Sequence, residues 1–448
     1  MNLNKLKAVT KCCIIILALF IIFSSSGCSG NSARNAIPDA PVDLTPTDQL
    51  TLDLPGYQYL SSIYTKAVRK FEITYPDVTV TVNEIGDSDN DPSDQYQTVI
   101  TNELMAGAGP DVILTDYFLD LYKTMDTGAF LNLSSIITGD TDFNMNDYNV
   151  AVMAAGNYKN GQYIMPIGYQ PPLMILIKSQ PESAMFDVTK PININDFVKI
   201  GAANPLPADY EAFVIHINMP MLGKPTPKDL SFCPYLLNMS GICLINPETK
   251  AVLPDEAALR DFCEAYKPFW ETYHGDNREL SYHDINRAHI LQYATNIESQ
   301  VSSYDYGANS VFNIQTYDGG VAAVANRGVA INANSKNQLN AWNFIKILLS
   351  DTIQIYMTSV TLAEYSDADP VNNAVINSSS DKWLSGAESV EDQQPLIEKL
   401  NAVTSCTLPT PRLTDFFMHS ITPYFNGDKS LDDCINDLRG KINMYASE

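Results

Sequence analysis

Strand patterns and helix patterns alternate from residue 49 to residue 115, and this order restricts the fold more than any other feature of the chain. Strand patterns lie at residues 49–54, 78–82 and 112–115, and helical patterns lie at residues 61–76 and 96–104. Parallel strands need a crossover connection, which a helix commonly supplies. We therefore predict an α/β fold with a mostly parallel sheet and helices on its faces.

The stretch AGAGPDVILTDY (residues 106–117) places two glycines between a helix pattern and a strand pattern. Phosphate-binding loops have the opposite order, because they run from a strand through glycines into a helix whose N-terminus faces the anion. The third glycine of a dinucleotide fingerprint is also missing, since position 112 is valine. We interpret Gly107 and Gly109 as the end of a helix, where positive φ costs glycine little, and predict no nucleotide site.

The carboxyl ends of the predicted strands are the expected position of a ligand, because open α/β sheets bind ligands there. The third strand continues into Thr115, Asp116 and Tyr117, and the first strand is followed by Tyr57 and Tyr59. Aromatic rings pack against the C–H groups of sugars, while carboxylate and amide groups form hydrogen bonds with sugar hydroxyls. These five residues are therefore predicted to line a sugar-binding cleft.

Prolines interrupt the periodic pattern within residues 166–172. They follow Asn160-Gly161, a dipeptide that tolerates positive φ and predicts a hairpin turn. We interpret the proline segment as a crossover between two lobes and add its Tyr169 and Gln170 to the predicted cleft.

Helical periodicity returns later in the chain, at residues 255–273, 335–349 and 430–445. Ser335 is the predicted N-cap of the middle helix, and Ser430 with Asp433 forms a capping-box-like start for the last one. The apolar stripes of these segments predict amphipathic helices that pack on a core.

The first 27 residues have the order of a secretory signal, namely a basic segment, an apolar run at residues 12–23 and small residues. The apolar run is shorter than the ~20 residues that a membrane-spanning helix needs. The small residues before Cys28 resemble a lipobox, although Ser25 stands where leucine is usual, and we predict cleavage and acylation at Cys28. The alternative is an ordinary signal peptide that is cut nearby, with Cys28 unmodified. Residues 28–48 are polar and aperiodic, which predicts a flexible tether.

Length and charge limit the architecture and the partners. A chain of 448 residues exceeds what one hydrophobic core usually organises, which predicts two domains or one two-lobed body. The formal charge is −24, and the charged residues before Cys28 are all basic, so the remainder is more acidic still. Such a chain repels a phosphate backbone, and we predict no nucleic-acid partner.

Five cysteines follow Cys28, and an odd number cannot pair completely. They are Cys233, Cys243, Cys263, Cys406 and Cys434. No CxxC spacing occurs, which favours buried free thiols, with a bridge between Cys233 and Cys243 as the alternative.

Common catalytic and cofactor motifs are absent from the sequence, including G-x-S-x-G, H-E-x-x-H and G-x-x-x-x-G-K-[ST]. The acidic run at residues 87–94 fails as a calcium loop because Pro92 stands where glycine is required. His283 and His289 are spaced poorly for one helix face. We predict no catalytic residue, no metal site and no cofactor.

Several segments together resemble the extracellular solute-binding proteins of ABC importers, in the branch that binds maltose and oligosaccharides. They are the SGC of the signal, NELMAGAGPDVILTD, TGAFLNLSSII, NGQYIMPIGY, VAINANSKNQLNAWNFIKILLSD and the terminal YFNGDKSLDDCINDLRGKINMYASE. They occur in the family's order across nearly the whole chain after the signal.

The resemblance implies a two-lobed, type II periplasmic-binding-protein-like α/β fold with a hinge between the lobes. It assigns residues 49–165 and 328–365 to the N-terminal lobe, and residues 166–327 and 366–448 to the C-terminal lobe. A solute would be captured on closure, which requires ligand contacts made only in the closed state. By position, the resemblance also implies that Phe416 and Phe417 supply second-lobe aromatic contacts.

The implied partners are a sugar, the permease of an ABC transporter and the membrane, reached by a monomer through a lipid anchor on the extracellular face. Three alternatives stay open. The solute could be a polyamine or another cation, the chain could be a ligand sensor for a receptor, or it could be a surface glycan hydrolase with paired carboxylates.

Overall fold

The computed structural model describes residues 40–447 except 57, 87–91, 117–119, 160, 178–183, 204–209, 216–232, 274–287, 295–308, 358–367 and 379–396. The described residues form a seven-stranded sheet, a five-stranded sheet and a two-stranded hairpin. No helix in these ranges is long and apolar enough to span a membrane.

The strands are β1 (Gln49–Pro55), β2 (Thr79–Ile85), β3 (Val112–Leu114), β4 (Asn157–Tyr158), β5 (Gly161–Gln162), β6 (Met165–Gln170), β7 (Leu173–Ile177), β8 (Ile192–Asn193), β9 (Tyr210–Ile215), β10 (Ala288–Ala294), β11 (Asn309–Gln315), β12 (Ala322–Ile331), β13 (Asp369–Pro370) and β14 (Ser405–Thr407). The α-helices are α1 (Gln58–Thr74), α2 (Pro92–Met105), α3 (Leu121–Asp126), α4 (Ser134–Gly139), α5 (Val150–Met153), α6 (Ile194–Ala203), α7 (Cys233–Ser240), α8 (Glu256–Tyr273), α9 (Gln338–Leu348), α10 (Asp351–Gln354), α11 (Asn373–Ile376), α12 (Pro411–Phe425) and α13 (Leu431–Ser447). Short 3₁₀ turns lie at Met145–Asp147, Ala154–Gly156 and Ile355–Met357.

The first sheet has the strand order β13-β6-β12-β3-β1-β2, with β14 beside β12. β1 runs parallel to both β2 and β3, as the alternating sequence pattern predicts. The expectation of a mostly parallel sheet is wrong beyond these strands, because β12 lies antiparallel between β3 and β6. β12 follows a strand of the second sheet, so no crossover helix imposes the parallel direction on it.

The second sheet has the strand order β8-β11-β7-β10-β9. The chain passes into it between β6 and β7, at the buried Pro171 and Pro172, and leaves it between β11 and β12. The predicted proline crossover is therefore confirmed. We refer to the first sheet with its packed helices as the first lobe, and to the second sheet with α6–α8, α12 and α13 as the second lobe.

The proposed lobe boundaries after residues 165 and 327 fall inside β6 and β12, two strands of the first sheet. β6 comes just before the crossing to the second sheet, and β12 comes just after the crossing back. Both strands belong to the first sheet. The division at those residues stays a prediction.

The second lobe has its own hydrophobic core beside the second sheet. The predicted apolar stripes of α8 and α13 are buried in it, as the fully buried Leu259, Phe262 and Leu438 illustrate. The start of α13 is capped as predicted, since the Ser430 hydroxyl accepts the backbone N–H of Asp433 at 3.1 Å and donates to its carboxylate at 2.7 Å. All five cysteines are free, so the Cys233–Cys243 alternative is wrong.

The two glycines after α2 end that helix, as predicted. α2 stops at Met105, and Gly107 and Gly109 follow with φ of 70° and 101°. The Gly107 N–H donates to the carbonyl of Leu104 at 3.0 Å, which turns the chain toward β3.

The predicted hairpin forms between β4 and β5, but its turn lies one residue earlier than expected. Tyr158 is the register partner of Gly161, and Lys159 carries the positive φ of 47°. Gly161 is instead a strand residue whose missing side chain makes room for a neighbour, because a Cβ there would lie 2.1 Å from Asn132 Oδ1.

The predicted N-cap role of Ser335 is wrong. α9 begins at Gln338 with Asn337 as its N-cap. Ser335 is buried, and its hydroxyl donates to Asp111 Oδ1 at 2.6 Å. The other oxygen of Asp111 accepts the N–H and the hydroxyl of Thr51 at 2.7 and 2.8 Å. This carboxylate therefore ties β1 to the segment between β12 and α9.

Part of the predicted tether lies on the first lobe. Gln338 of α9 accepts the N–H of Asp43 at 2.7 Å, and the Asn340 amide donates to the Thr47 carbonyl at 3.0 Å and to the Gln49 carbonyl at 2.9 Å. The prediction of a flexible tether is therefore wrong for residues 43–47.

Candidate ligand-binding site

Of the predicted site residues, two are not described by the structure and a third is described only by its backbone position. Tyr57 and Tyr117 are outside the described residues, and Tyr59 is described only by its place at the start of α1. Their contact with a ligand stays a prediction.

Thr115 and Asp116 lie at the carboxyl end of β3, as predicted, but both side chains are buried. Asp116 accepts the N–H of Gly328 at 3.0 Å with one oxygen and the hydroxyl of Tyr64 at 3.3 Å with the other. The Thr115 N–H donates to the Gly328 carbonyl at 2.9 Å, and a Cβ on that glycine would lie 2.7 Å from Thr115 Oγ1. The two residues thus join β3, β12 and α1 at the base of the predicted cleft.

Tyr169 and Gln170 end β6, immediately before the chain crosses to the second lobe, and both are buried. Tyr169 is the register partner of Asp369 on β13. Burial raises the pKa of the Tyr169 hydroxyl, and the charge of Asp369 raises it further. They lie where the chain crosses from the first sheet to the second. That this crossing is a hinge and that the two residues contact a ligand stay predictions.

Phe416 and Phe417 have different surroundings although they are neighbours on α12. Successive helix residues point about 100° apart, so the two rings meet different neighbours. Phe417 is fully buried, with its ring centroid 6.5 Å from that of Phe262. Phe416 is half-buried and meets Tyr445 of α13 nearly edge-on, with the centroids 6.2 Å apart. Phe417 therefore packs in the core, whereas part of the Phe416 ring surface remains exposed.

Tyr445 connects this aromatic pair to the first lobe. Its hydroxyl donates to Asp120 Oδ1 at 2.7 Å, and Asp120 stands at the start of α3, just after the β3 loop that contains Tyr117. The backbone N–H of Lys123 approaches the same oxygen at 3.5 Å. Asp120 Oδ2 is buried and has no hydrogen-bond partner among the described residues. Asp120 of the first lobe and Tyr445 of the second lobe thus connect the two lobes.

Two cationic side chains flank the rings. Lys123 Nζ lies 4.2 Å from the centroid of the Tyr445 ring, and the Arg412 guanidinium lies 5.4 Å from it and 5.7 Å from Phe416. Burial and then the hydrogen bond to Asp120 raise the pKa of Tyr445, so its hydroxyl keeps its proton and acts as a donor at neutral pH.

A second contact between the lobes lies at the other end of α3. The carboxylate of Asp126 meets Lys159 Nζ at 2.5 Å, Lys250 Nζ at 2.7 Å and the Tyr158 hydroxyl at 2.8 Å. Lys250 belongs to the second lobe, since the nearby Leu253 is part of its core. Burial acts to raise the pKa of Asp126, but the hydrogen bonds from the two lysines and the tyrosine outweigh it and lower the pKa.

Comparison with protein families identifies the kind of protein that this chain resembles. Residues 56–213 match the family model of bacterial extracellular solute-binding proteins. The resemblance predicted from the sequence is confirmed. No curated protein sequence matches the chain significantly.

Solved structures of solute-binding proteins share the fold of nearly the whole chain. The sugar-binding protein MalE from Xanthomonas citri superposes with a TM-score of 0.65 at 13% identity, covering 89% of this chain and 97% of its own. An ABC substrate-binding protein from Listeria monocytogenes, in complex with cycloalternan, gives 0.57 at 14% identity and covers 89% and 99%. An extracellular solute-binding protein of family 1 from Alicyclobacillus acidocaldarius gives 0.58 at 16% identity and covers 91% and 100%. The chain therefore has the two-lobed α/β periplasmic-binding-protein fold that we predicted.

Four residues of this solute-binding fold escaped the sequence analysis, namely Asp120, Lys123, Arg412 and Tyr445. Tyr445 was recognised only as part of the apolar stripe of α13, and the others have no distinctive pattern. Residues 120 and 445 meet because the two lobes come together, which local periodicity cannot show. Among the described residues, no cluster of three His, Cys, Asp or Glu side chains is arranged to hold a metal ion.

Proposed function

We propose that this chain is an extracellular, lipid-anchored solute-binding protein that captures a carbohydrate between its lobes and delivers it to an ABC import permease. The observation that carries the proposal is the aromatic pair Phe416 and Tyr445, which lies beside Asp120 where the lobes meet. Ring faces next to a carboxylate suit a sugar, whose C–H groups pack on rings and whose hydroxyls donate to carboxylates.

The charges around the rings favour a neutral sugar over a polyamine. Lys123 and Arg412 already occupy cation–π positions at Tyr445, so a cationic ligand would compete with them for this ring. The sugar-binding protein from Xanthomonas citri and the cycloalternan complex from Listeria monocytogenes support a saccharide, of oligosaccharide size, as the solute here.

The proposed cleft includes most residues predicted from the sequence: Tyr57, Tyr59, Thr115, Asp116, Tyr117, Tyr169, Gln170 and Phe416. Phe417 is left out because its ring packs against Phe262 within the hydrophobic core of the second lobe. Binding by such a cleft needs no catalytic group, and we propose none.

The ligand class is tested by a thermal-shift screen of the protein against neutral oligosaccharides, spermidine and short peptides. A ligand that binds only the folded state raises the Tm. We expect a neutral oligosaccharide to raise it and spermidine to leave it unchanged. A shift with spermidine alone would reject the carbohydrate proposal, and the appearance of shorter sugars after incubation would favour a glycan hydrolase.

Anchoring and delivery need separate experiments. Cells given a palmitate analogue should label the wild-type protein and not the Cys28→Ala variant; equal labelling would reject acylation at Cys28. Deletion of the gene should abolish uptake of the identified sugar if the chain serves a permease. Uptake that persists in the deletion strain, together with a lost transcriptional response to the sugar, would favour a sensor.

A further inference from the structure

Asp120 has one carboxylate oxygen whose hydrogen-bonding capacity is unused. Oδ1 accepts from Tyr445, whereas Oδ2 is buried and has no partner among the described residues. Leaving a buried charged acceptor unsatisfied is costly, and most buried polar atoms in folded proteins have a partner. An unsatisfied oxygen at a contact between two lobes therefore indicates a donor that arrives with a ligand.

The surroundings of Asp120 restrict the chemistry of that donor. The Tyr445 hydroxyl is already committed to Oδ1, and the half-buried Phe416 ring lies next to Tyr445. The side chains of Lys123 and Arg412 place two cations beside the Tyr445 ring. A neutral hydroxyl fits this position better than an ammonium group, since it adds no like charge.

We propose that Asp120 is a ligand-binding residue that also fastens the two lobes together, with Oδ1 on Tyr445 and Oδ2 on a hydroxyl of the bound saccharide. The inference rests on the proposed function, and it names a residue that the sequence analysis did not predict. One carboxylate then makes both bonds, so a ligand that orients Asp120 also favours the contact with Tyr445. The ligand thereby gains differential affinity for the closed arrangement, which is what closure requires.

The test is a mutant cycle on the full-length protein in mild detergent. The variants are Asp120→Ala, Tyr445→Phe and their combination, with the exposed Asp142→Ala as a matched control. The probe is whichever of maltose, maltotriose, cellobiose and raffinose raises the Tm of the unmodified protein, and its Kd is measured by calorimetry. If Asp120→Ala does not fold, Asp120→Asn replaces it, because the amide removes the charge at similar volume.

We expect Asp120→Ala to raise the Kd on the order of 10- to 100-fold, the range for a hydrogen bond to a charged group. Tyr445→Phe removes only the hydrogen bond from Tyr445 to Asp120 and should raise the Kd less, by about 3- to 10-fold. The combined variant should equal Asp120→Ala, and Asp142→Ala should match the wild type.

Two results would overturn the inference alone. In the first, Asp120→Ala binds the probe as tightly as the wild type. In the second, it binds no more weakly than Tyr445→Phe, which would make Asp120 only a link between the lobes. If no saccharide in the panel binds the unmodified protein, the proposed function fails together with the inference.

Discussion

The ammonium group of Lys250 in the second lobe lies 2.7 Å from the carboxylate of Asp126 in the first lobe. Lys159 shares the same carboxylate at 2.5 Å, so one acidic side chain of α3 balances two cations. The Asp126 side chain is 28% exposed, and solvent therefore screens part of the interaction.

Asp126→Ala should lower the free energy of unfolding by about 1 kcal/mol at pH 7, because the two lysines then face each other without a counter-charge. The matched control is Asp187→Ala, which breaks an exposed pair with Lys190 and should change nothing measurable.

The pKa of Asp126 is lowered in the folded protein, so its contribution is present above the unfolded value of about 4 and is lost as the pH falls through the folded pKa. Urea unfolding of the wild type and of Asp126→Ala at pH 7 and at pH 3 measures this contribution. A loss of unfolding free energy in Asp126→Ala that is as large at pH 3 as at pH 7 would contradict the prediction.

Phe416→Ala should weaken the effect of the sugar, whereas Phe417→Ala should mainly destabilise the fold. Phe417 is fully buried, so its truncation should cost about 3 to 5 kcal/mol of unfolding free energy. Phe416 is half-buried, and its truncation should cost less but should reduce the Tm shift produced by the bound sugar. Denaturant unfolding and the thermal-shift assay separate the two effects. An unchanged sugar-induced shift in Phe416→Ala would remove Phe416 from the site.

Asn340→Ala should release the segment before β1 from the first lobe. The buried Asn340 amide donates to the carbonyls of Thr47 and Gln49, and its loss removes both hydrogen bonds. We expect faster amide hydrogen exchange in residues 41–49 and a loss of about 1 to 2 kcal/mol in unfolding free energy. The exposed Asn146→Ala serves as the control. Unchanged exchange in this segment would show that Asn340 does not hold it.

Glu103→Gln should stabilise the protein slightly at neutral pH. Burial, followed by the charge of Asp53, raises the pKa of Glu103, and burial also raises the pKa of Asp53. A carboxyl group whose pKa is raised in the folded protein stabilises the fold fully below its unfolded pKa, about 4.3 for Glu. This stabilisation is lost as the pH rises through the folded pKa. The variant should therefore gain about 0.5 kcal/mol at pH 7, a small amount because solvent screens Glu103, and nothing near pH 4. Unfolding curves at both pH values, with the exposed Glu72→Gln as the control, check the sign.

Local features of the fold followed from the sequence. The apolar periodicity of α8, α9 and α13 needs only neighbouring residues to be recognised, and their faces are buried as predicted. The end of α2 just before Gly107 was predictable because glycine adopts a positive φ at little energetic cost. The crossing near Pro171 was predictable because prolines interrupt the periodic pattern there.

Other local predictions failed where a distant residue competed for the same group. Ser335 has the side chain of an N-cap, but its hydroxyl binds Asp111, which is far away in the sequence. The turn of the β4–β5 hairpin lies at Lys159, and Gly161 serves instead to admit the side chain of Asn132. In both places tertiary packing outweighed a local preference of about 1 kcal/mol.

By itself, the sequence determined the α/β elements and the order in which they follow one another. The tertiary structure alone decided that β12 lies antiparallel between β3 and β6, and that Asp120 meets Tyr445. Apolar periodicity and backbone preference depend on a few neighbouring residues, so they can be recognised in the sequence. A contact between residues 120 and 445 depends on how two lobes pack together, and no local pattern encodes it.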